Sequence, residues 1–377
     1  MCNVIRINCV YRNLQVIENY GINLRPLVAF ATEEYENDPC DSFQISDLYG
    51  SENDFETNEI LARMTKAITV IQLKLENKLI QNHPEFGMED RILYPVDTLT
   101  EKEEKLIEML TEEFRENPRL RTHMKLMLNK GSMYQVYNRN LLMHGCVPTE
   151  SDGSFSRITV NGEQFGGKAL YDRLDLLVRQ AAKKDPYAVD FMWYLWCGKD
   201  APTFDKDRMA TFERYFLKDK MVMKETKGHY YTLRNEDATV DLLLEEFGVE
   251  GDHRHIINGH IPVKTLKGEN PMKAGGRLIV IDGGFSKPYQ STTGIAGYTL
   301  VYHSRGMQLV EHQPFTSTEE AIRGGADIKS TRHLVEKHSE RIHVGDTDKG
   351  RDIRLRIESL RKLLYAYRTG IIREAQK

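Results

Sequence analysis

The chain has 377 residues, 40% apolar and 29% charged, with a formal net charge of −4, long enough for one large domain or two ordinary ones. That balance gives no electrostatic case for nucleic acid, which calls for a clearly basic face, and no apolar run approaches the roughly 18 residues of a membrane span. Five cysteines, odd in number and without CxxC spacing, argue for a reducing cytoplasm without a disulfide frame. No charged n-region followed by an apolar h-region opens the chain, so no secretory signal is expected.

In chain order, residues 1–36 read as helical. Val4 with Ile7 and Ile5 with Cys9 fall at helical spacings, and Asn23 is placed to cap a helix over 24–34 with Pro26 in its first turn. Nothing before Met1 caps the first helix, the pattern expected of a chain that starts inside an element. Residues 37–58 are acidic and rich in turn formers, the expected exposed connection. Ile60, Met64, Ala67, Ile68, Ile71, Leu75 and Leu79 then follow i, i+3, i+4 steps. Thr100 and Glu103 form a capping-box signature ahead of a charged helix to about 116. These two long helices predict a helical hairpin within 37–130.

From about 131 the texture changes to alternating strands and helices. Strands are expected at 141–144, 255–259, 277–282, 298–302 and 307–312, the last two joined by His303-Ser304-Arg305-Gly306 as an antiparallel hairpin. Helices are expected at 167–184, 187–195, 205–217, 240–247, 318–323, 331–338 and 353–368. No internal repeat is present.

Two segments carry the chemistry. They are Leu141-Leu142-Met143-His144-Gly145-Cys146-Val147-Pro148 and Asn258-Gly259-His260-Ile261-Pro262-Val263-Lys264. In each an apolar run ends at a histidine beside glycine. A strand would deliver the imidazole to the sheet's rim, and the glycine would let the backbone turn away. Histidines on separate strands can converge on one metal, as neutral imidazole is the commonest metal ligand. Locally, a capped turn histidine reads as well.

Together with Ile281-Asp282-Gly283-Gly284-Phe285-Ser286-Lys287, these segments resemble the class III fructose-1,6-bisphosphatases, calcineurin-like metallophosphoesterases. The resemblance runs from Asn3 to about Glu374. It implies an α/β (α+β) fold, the C-terminal part of an αββα sandwich decorated by the helical hairpin. On that reading residues 1–36 continue the catalytic half, 37–130 form the connection and hairpin, and 131–377 complete the domain. It further implies hydrolysis of the 1-phosphate of fructose 1,6-bisphosphate, a step of gluconeogenesis, at a two-metal manganese centre with His144 and His260 as ligands. The family's GDxH, GDxxDRG and GNHD motifs are not found. Gly345-Asp346-Thr347-Asp348-Lys349-Gly350 is one residue short of GDxxDRG and precedes a charged helix. The bridging carboxylates are therefore expected to be lacking, with little activity of the chain alone. A strand edge beside 141–144 is expected to be open to a complementing N-terminal segment or a second copy. The alternatives are a non-catalytic or complementing subunit of a split bisphosphatase, or another calcineurin-like phosphoesterase.

A sugar bisphosphate requires cations. Lys264 and Lys287 each lie a few residues past an expected strand end and are the preferred pair; Lys168, Lys273 and Arg277 are further candidates, and solvated loop lysines are the plain alternative. Gly166-Gly167 ahead of a helix offers free N–H groups for an anion. Asp282 reads as a partner of a metal ligand, a substrate hydroxyl acceptor, or a simple strand end. His253-Arg254-His255 invites a zinc hypothesis, but zinc sites take four ligands and no fourth is evident; His255 fits the family pattern and His253 reads as surface variation. Cys146 reads as a packing residue, and Trp193, Tyr194 and Trp196 as an aromatic cluster buried under the sheet, with sugar stacking as the alternative.

Overall fold

The computed structural model describes residues 21–34, 55–88, 98–209, 224–283, 290, 293–314, 317–324 and 330–373. The principal elements are helices α1 (Arg25–Glu34), α2 (Phe55–Asn82), α3 (Glu101–Glu116) and α4 (Pro118–Lys130), then strands β1 (Tyr134–Tyr137), β2 (Asn140–Met143), β3 (Ile158–Val160) and β4 (Glu163–Phe165). Helices α5 (Gly167–Ala182), α6 (Pro186–Cys197), α7 (Tyr230–Leu233) and α8 (Asp237–Glu246) follow, then β5 (His255–Asn258), β6 (Met272–Lys273) and β7 (Leu278–Val280). Last come β8 (Gly297–His303), β9 (Gly306–His312), α9 (Thr318–Gly324), β10 (Ser330–Lys337) and α10 (Asp348–Arg368). The chain is mixed α/β and divides into two units, residues 1–133 with 146–231 and residues 134–145 with 232–377.

The first unit is helical, and its helix starts are written in the sequence. Asn23 Oδ1 accepts from the Arg25 N–H at 3.1 Å. At α3 the Thr100 hydroxyl accepts from the Glu103 N–H at 3.3 Å while Glu103 accepts from the Thr100 N–H at 2.8 Å, the reciprocal capping box. Asn117 caps α4 through the Leu120 N–H at 2.9 Å, with Pro118 in the first turn. The apolar stripes of α1, α2 and α3 meet through Leu27, Ala31, Met64, Ile68, Ile71, Leu106 and Leu110. A second core gathers Phe86, Leu170, Leu174, Phe191, Trp193, Tyr194 and Phe204. Trp193 and Tyr194 are buried as expected, at 1% and 4% exposure, whereas Trp196 is half-buried and the cluster packs in this helical core instead of under the sheet. Cys146 is fully buried, as a packing residue should be, its Sγ donating to the Pro202 carbonyl at 3.3 Å.

The second unit is built on a five-stranded sheet of order β1-β2-β5-β7-β6. β2, β5 and β7 run parallel, and β1 and β6 pair antiparallel at the two sides. β2, β5 and β7 are almost wholly buried, which explains their continuous apolar runs. A second, antiparallel sheet of order β10-β9-β8 completes the unit.

Several expectations are corrected. Of residues 331–338, expected as a helix, 331–337 lie in β10, antiparallel to β9 with a bulge between Leu334 and Glu336, and His338 follows it. The nonlocal ladder outweighs the weak helical spacing of the segment. Residues 205–209 are not helical, and Lys206 forms a bridge with Lys227; 210–217 lie outside the described residues. The open edge expected beside 141–144 is filled by β1, joined to β2 through Asn138 and Arg139, both left-handed at φ +48° and +63°, as a two-residue hairpin turn demands. Residues 55–58, expected in the connection, open α2, and the rest of 37–54 lies outside the described residues, as do 1–20. The helices expected at 24–34, 167–184, 187–195, 240–247, 318–323 and 353–368 are present within a few residues of their expected ends.

Candidate metal centre at the rim of the parallel strands

Because β2, β5 and β7 are parallel, their carboxyl ends share one rim, the usual place for a ligand in an open α/β sheet. The chain knits that rim with its own backbone. Gly259 N–H donates to the His144 carbonyl at 3.0 Å, Ile281 N–H to Asn258 at 2.9 Å and Val263 N–H to Asp282 at 2.8 Å. The buried Asn258 amide donates to the Gly145 carbonyl at 3.0 Å, tying the two histidine motifs together.

The result is convergence. His144 Nε2 lies 3.1 Å from His260 Nδ1, with ring centroids 5.1 Å apart and planes at 73°. His144 is exposed and His260 half-buried. His260 holds φ at +67°, a left-handed backbone that costs a residue with a Cβ roughly 1–2 kcal/mol; such strain persists where the surroundings over-determine it and is common at functional sites. Gly259 beside it touches both motifs: a Cβ there would stand in ordinary contact, 3.6 Å from both Asp282 Cβ and the His144 carbonyl oxygen.

The two rings share a direct hydrogen bond at this distance; bonds of about 2.0–2.1 Å to one ion place two adjacent imidazole donors roughly 3.0–3.4 Å apart, so the spacing also suits a shared divalent cation. The pair supplies two donors. Among the described residues no further His, Cys, Asp or Glu ligand atom gathers with them into a group of three.

The remaining expected residues fall out unevenly. Lys264, four positions past His260, is exposed and makes no ion pair among the described residues, while its N–H donates to Glu269 at 3.1 Å. Burial pushes the Glu269 carboxyl up, but that N–H, Lys273 and Arg234 outweigh it and hold its pKa below the ordinary value. Glu269 thus anchors the loop after His260, a role with no sequence signal. Lys273 is tied to Glu269 at 3.3 Å, and Arg277 to Asp241 and Asp237, so neither is a free phosphate ligand. Asp282 is half-buried beside Gly259. Lys168 belongs to the first unit, on α5, paired with Asp172 at 2.6 Å. Lys287 lies outside the described residues. A second donor cluster was missed: His253, set aside as surface variation, meets Glu336 and His338.

The family model of the Firmicute fructose-1,6-bisphosphatases matches residues 1–97 and 94–369. The chain belongs to that family. Its curated relatives include proteins named fructose-1,6-bisphosphatase class 3 from Bacteroides fragilis, Phocaeicola vulgatus and Clostridium novyi, at 50%, 48% and 45% identity over 99% of this chain. The chain spans 62% of the length of each of these relatives. No solved structure matches. Among the described residues no helix is long and apolar enough to cross a membrane.

Proposed function

We propose that the protein is a metal-dependent fructose-1,6-bisphosphatase, removing the 1-phosphate in gluconeogenesis in the cytoplasm, with His144 and His260 as two ligands of a manganese centre. The observation that carries it is the pair of imidazole nitrogens at 3.1 Å on the carboxyl rim of the parallel strands, in a chain of this family. The fold reading that goes with it is the C-terminal part of an αββα metallophosphoesterase sandwich bearing the α2–α3 hairpin. When bound, the metal lowers the pKa of a coordinated water and neutralises charge on the phosphoryl oxygens.

The chain's own residues bind and orient. His144, on the exposed side, and His260, held by its strained backbone, fix where the ion sits. Lys264, on the loop anchored by Glu269, meets a substrate phosphate as a point charge. Lys287 is its proposed companion, Lys168 a further candidate, and Asp282 accepts a substrate hydroxyl or steadies a metal ligand.

The two-imidazole donor set favours one second reading. The site is completed by carboxylates from a complementing segment or a second copy, since two neutral imidazoles do not balance the charge of two divalent ions. The test is phosphate release from fructose 1,6-bisphosphate with manganese. It is measured on the chain alone and co-expressed with the part of the Bacteroides fragilis relative that this chain does not match. Release in either format, abolished by His144→Ala and by His260→Ala, is expected. No release in both formats, or release indifferent to both substitutions, overturns the proposal.

A further inference from the structure

The amino end of β5 carries a second donor set, on the opposite side of the sheet's length from His144 and His260. A four-residue strand separates the two regions by roughly 10 Å or more. His253 Nδ1 hydrogen-bonds Glu336 Oε1. Glu336 Oε2 stands 3.5 Å from His255 Nε2 and 4.0 Å from His338 Nε2. Ligand atoms of His253, Glu336 and His338 all lie within 4.8 Å of one another.

The arrangement follows from two short segments. His255 opens β5 while His253, two residues earlier, sits in a bend with a left-handed φ of +60°; Glu336 lies in β10 and His338 directly follows its last residue, its N–H donating to the Arg305 carbonyl at 2.9 Å. The bulge between Leu334 and Glu336 sets the phase of the second pair. As a helix, 331–338 would have pointed Glu336 and His338 apart.

The chemistry of these atoms asks for a cation. His338 is 4% exposed. Among the described residues neither of its ring nitrogens has a hydrogen-bond partner, and the same holds for Glu336 Oε2 and His255 Nδ1. Buried polar atoms left without a hydrogen bond cost about 1–3 kcal/mol each, and the approaches of His255 and His338 to Glu336 Oε2, at 3.5 and 4.0 Å, are too long to supply one.

We propose that His253, Glu336 and His338 bind one divalent transition-metal ion of the zinc type, with His255 steadying the Glu336 carboxylate. Two imidazoles and one carboxylate are a recognised three-ligand set for zinc, leaving a fourth position open. His253 and His338 line a cavity where Arg139, Arg341 and Arg351 are matched by Glu340, Asp346 and Asp348, which gives the ion an approach and its open position contact with water. Tetrahedral donors on one zinc lie roughly 3.4 Å apart, so the group tightens on binding by small side-chain rotations. The site is independent of the bisphosphatase reading.

The test uses the full chain carrying His144→Ala and His260→Ala, which removes the rim donors. After chelation and re-equilibration with zinc chloride, metal content is measured by mass spectrometry, and a cobalt(II)-loaded sample by its visible absorption. One zinc per chain and a tetrahedral cobalt band are expected. Adding His253→Ala, whose side chain is 47% exposed and thus safe for folding, or Glu336→Gln, should lower zinc at least tenfold and abolish the band. Absence of retained zinc in the parent, or zinc content unchanged by either added substitution, overturns the proposal.

Discussion

Two glycines at the sheet's rim should respond to alanine in opposite ways. At Gly283, directly after Asp282, a Cβ would stand 2.5 Å from Gly297 Cα, 2.9 Å from Ile295 Cδ1 and 3.1 Å from the Gly297 carbonyl carbon. Two of these atoms are backbone where β8 begins, paired to His312, so relief requires moving the strand. Overpacking of this kind costs about 1–3 kcal/mol, and with ~2–4 °C per kcal/mol for a unit of 150–250 residues, Gly283→Ala should lower Tm by about 2–12 °C. At Gly259 the nearest atoms are at 3.6 Å, an ordinary contact, and its φ is not left-handed. Gly259→Ala should therefore be neutral, or stabilising by up to about 1 kcal/mol through the unfolded chain's lost freedom. Thermal unfolding followed by circular dichroism, with hydrogen exchange at β5 and β8, reads both. A Gly259→Ala chain less stable than Gly283→Ala would refute the account of how the rim is packed.

Three further outcomes follow from the helical unit. Lys74 Nζ sits 2.8 and 2.7 Å from the two Glu103 oxygens with both side chains under one-tenth exposed. Lys74→Met should cost about 3–5 kcal/mol in urea unfolding by leaving that carboxylate buried and unpaired. Lys102, bridging Glu33 and Glu34 in the open, should tolerate Lys102→Met with a nearly unchanged midpoint. Burial pulls the His83 imidazole down, but hydrogen bonds to Asp190 and Glu85, each 3.0 Å, outweigh it and hold its pKa above the ordinary value. A raised folded pKa gives stability that is full below about pH 6.5 and lost as pH rises through the folded value; His83→Gln should shrink the difference between urea midpoints at pH 6 and pH 8.

The rim was legible in the sequence because its signal is local. An apolar run, a histidine and a glycine name a strand end, and parallel strands then bring His144 and His260 together. What eluded sequence reading is nonlocal. β10 is a strand because β9 is there to pair with it, and Glu336 and His338 become donors only through that pairing. His253 and His255 therefore looked short of ligands when the missing partners stood some eighty positions away. The hairpin at Asn138-Arg139 gave no warning either, since arginine does not advertise a left-handed φ. Glu269 anchors the loop after His260 through the Lys264 backbone N–H, a contact no side-chain pattern encodes.

The most direct test of the rim site follows the histidine Cε1–H resonances of the isotope-labelled chain as manganese is added. If His144 and His260 hold one ion, their two resonances broaden together at the same manganese concentration, and His144→Ala abolishes the effect at His260. Broadening of the two at separate concentrations, or at His260 undiminished by His144→Ala, would contradict a shared metal.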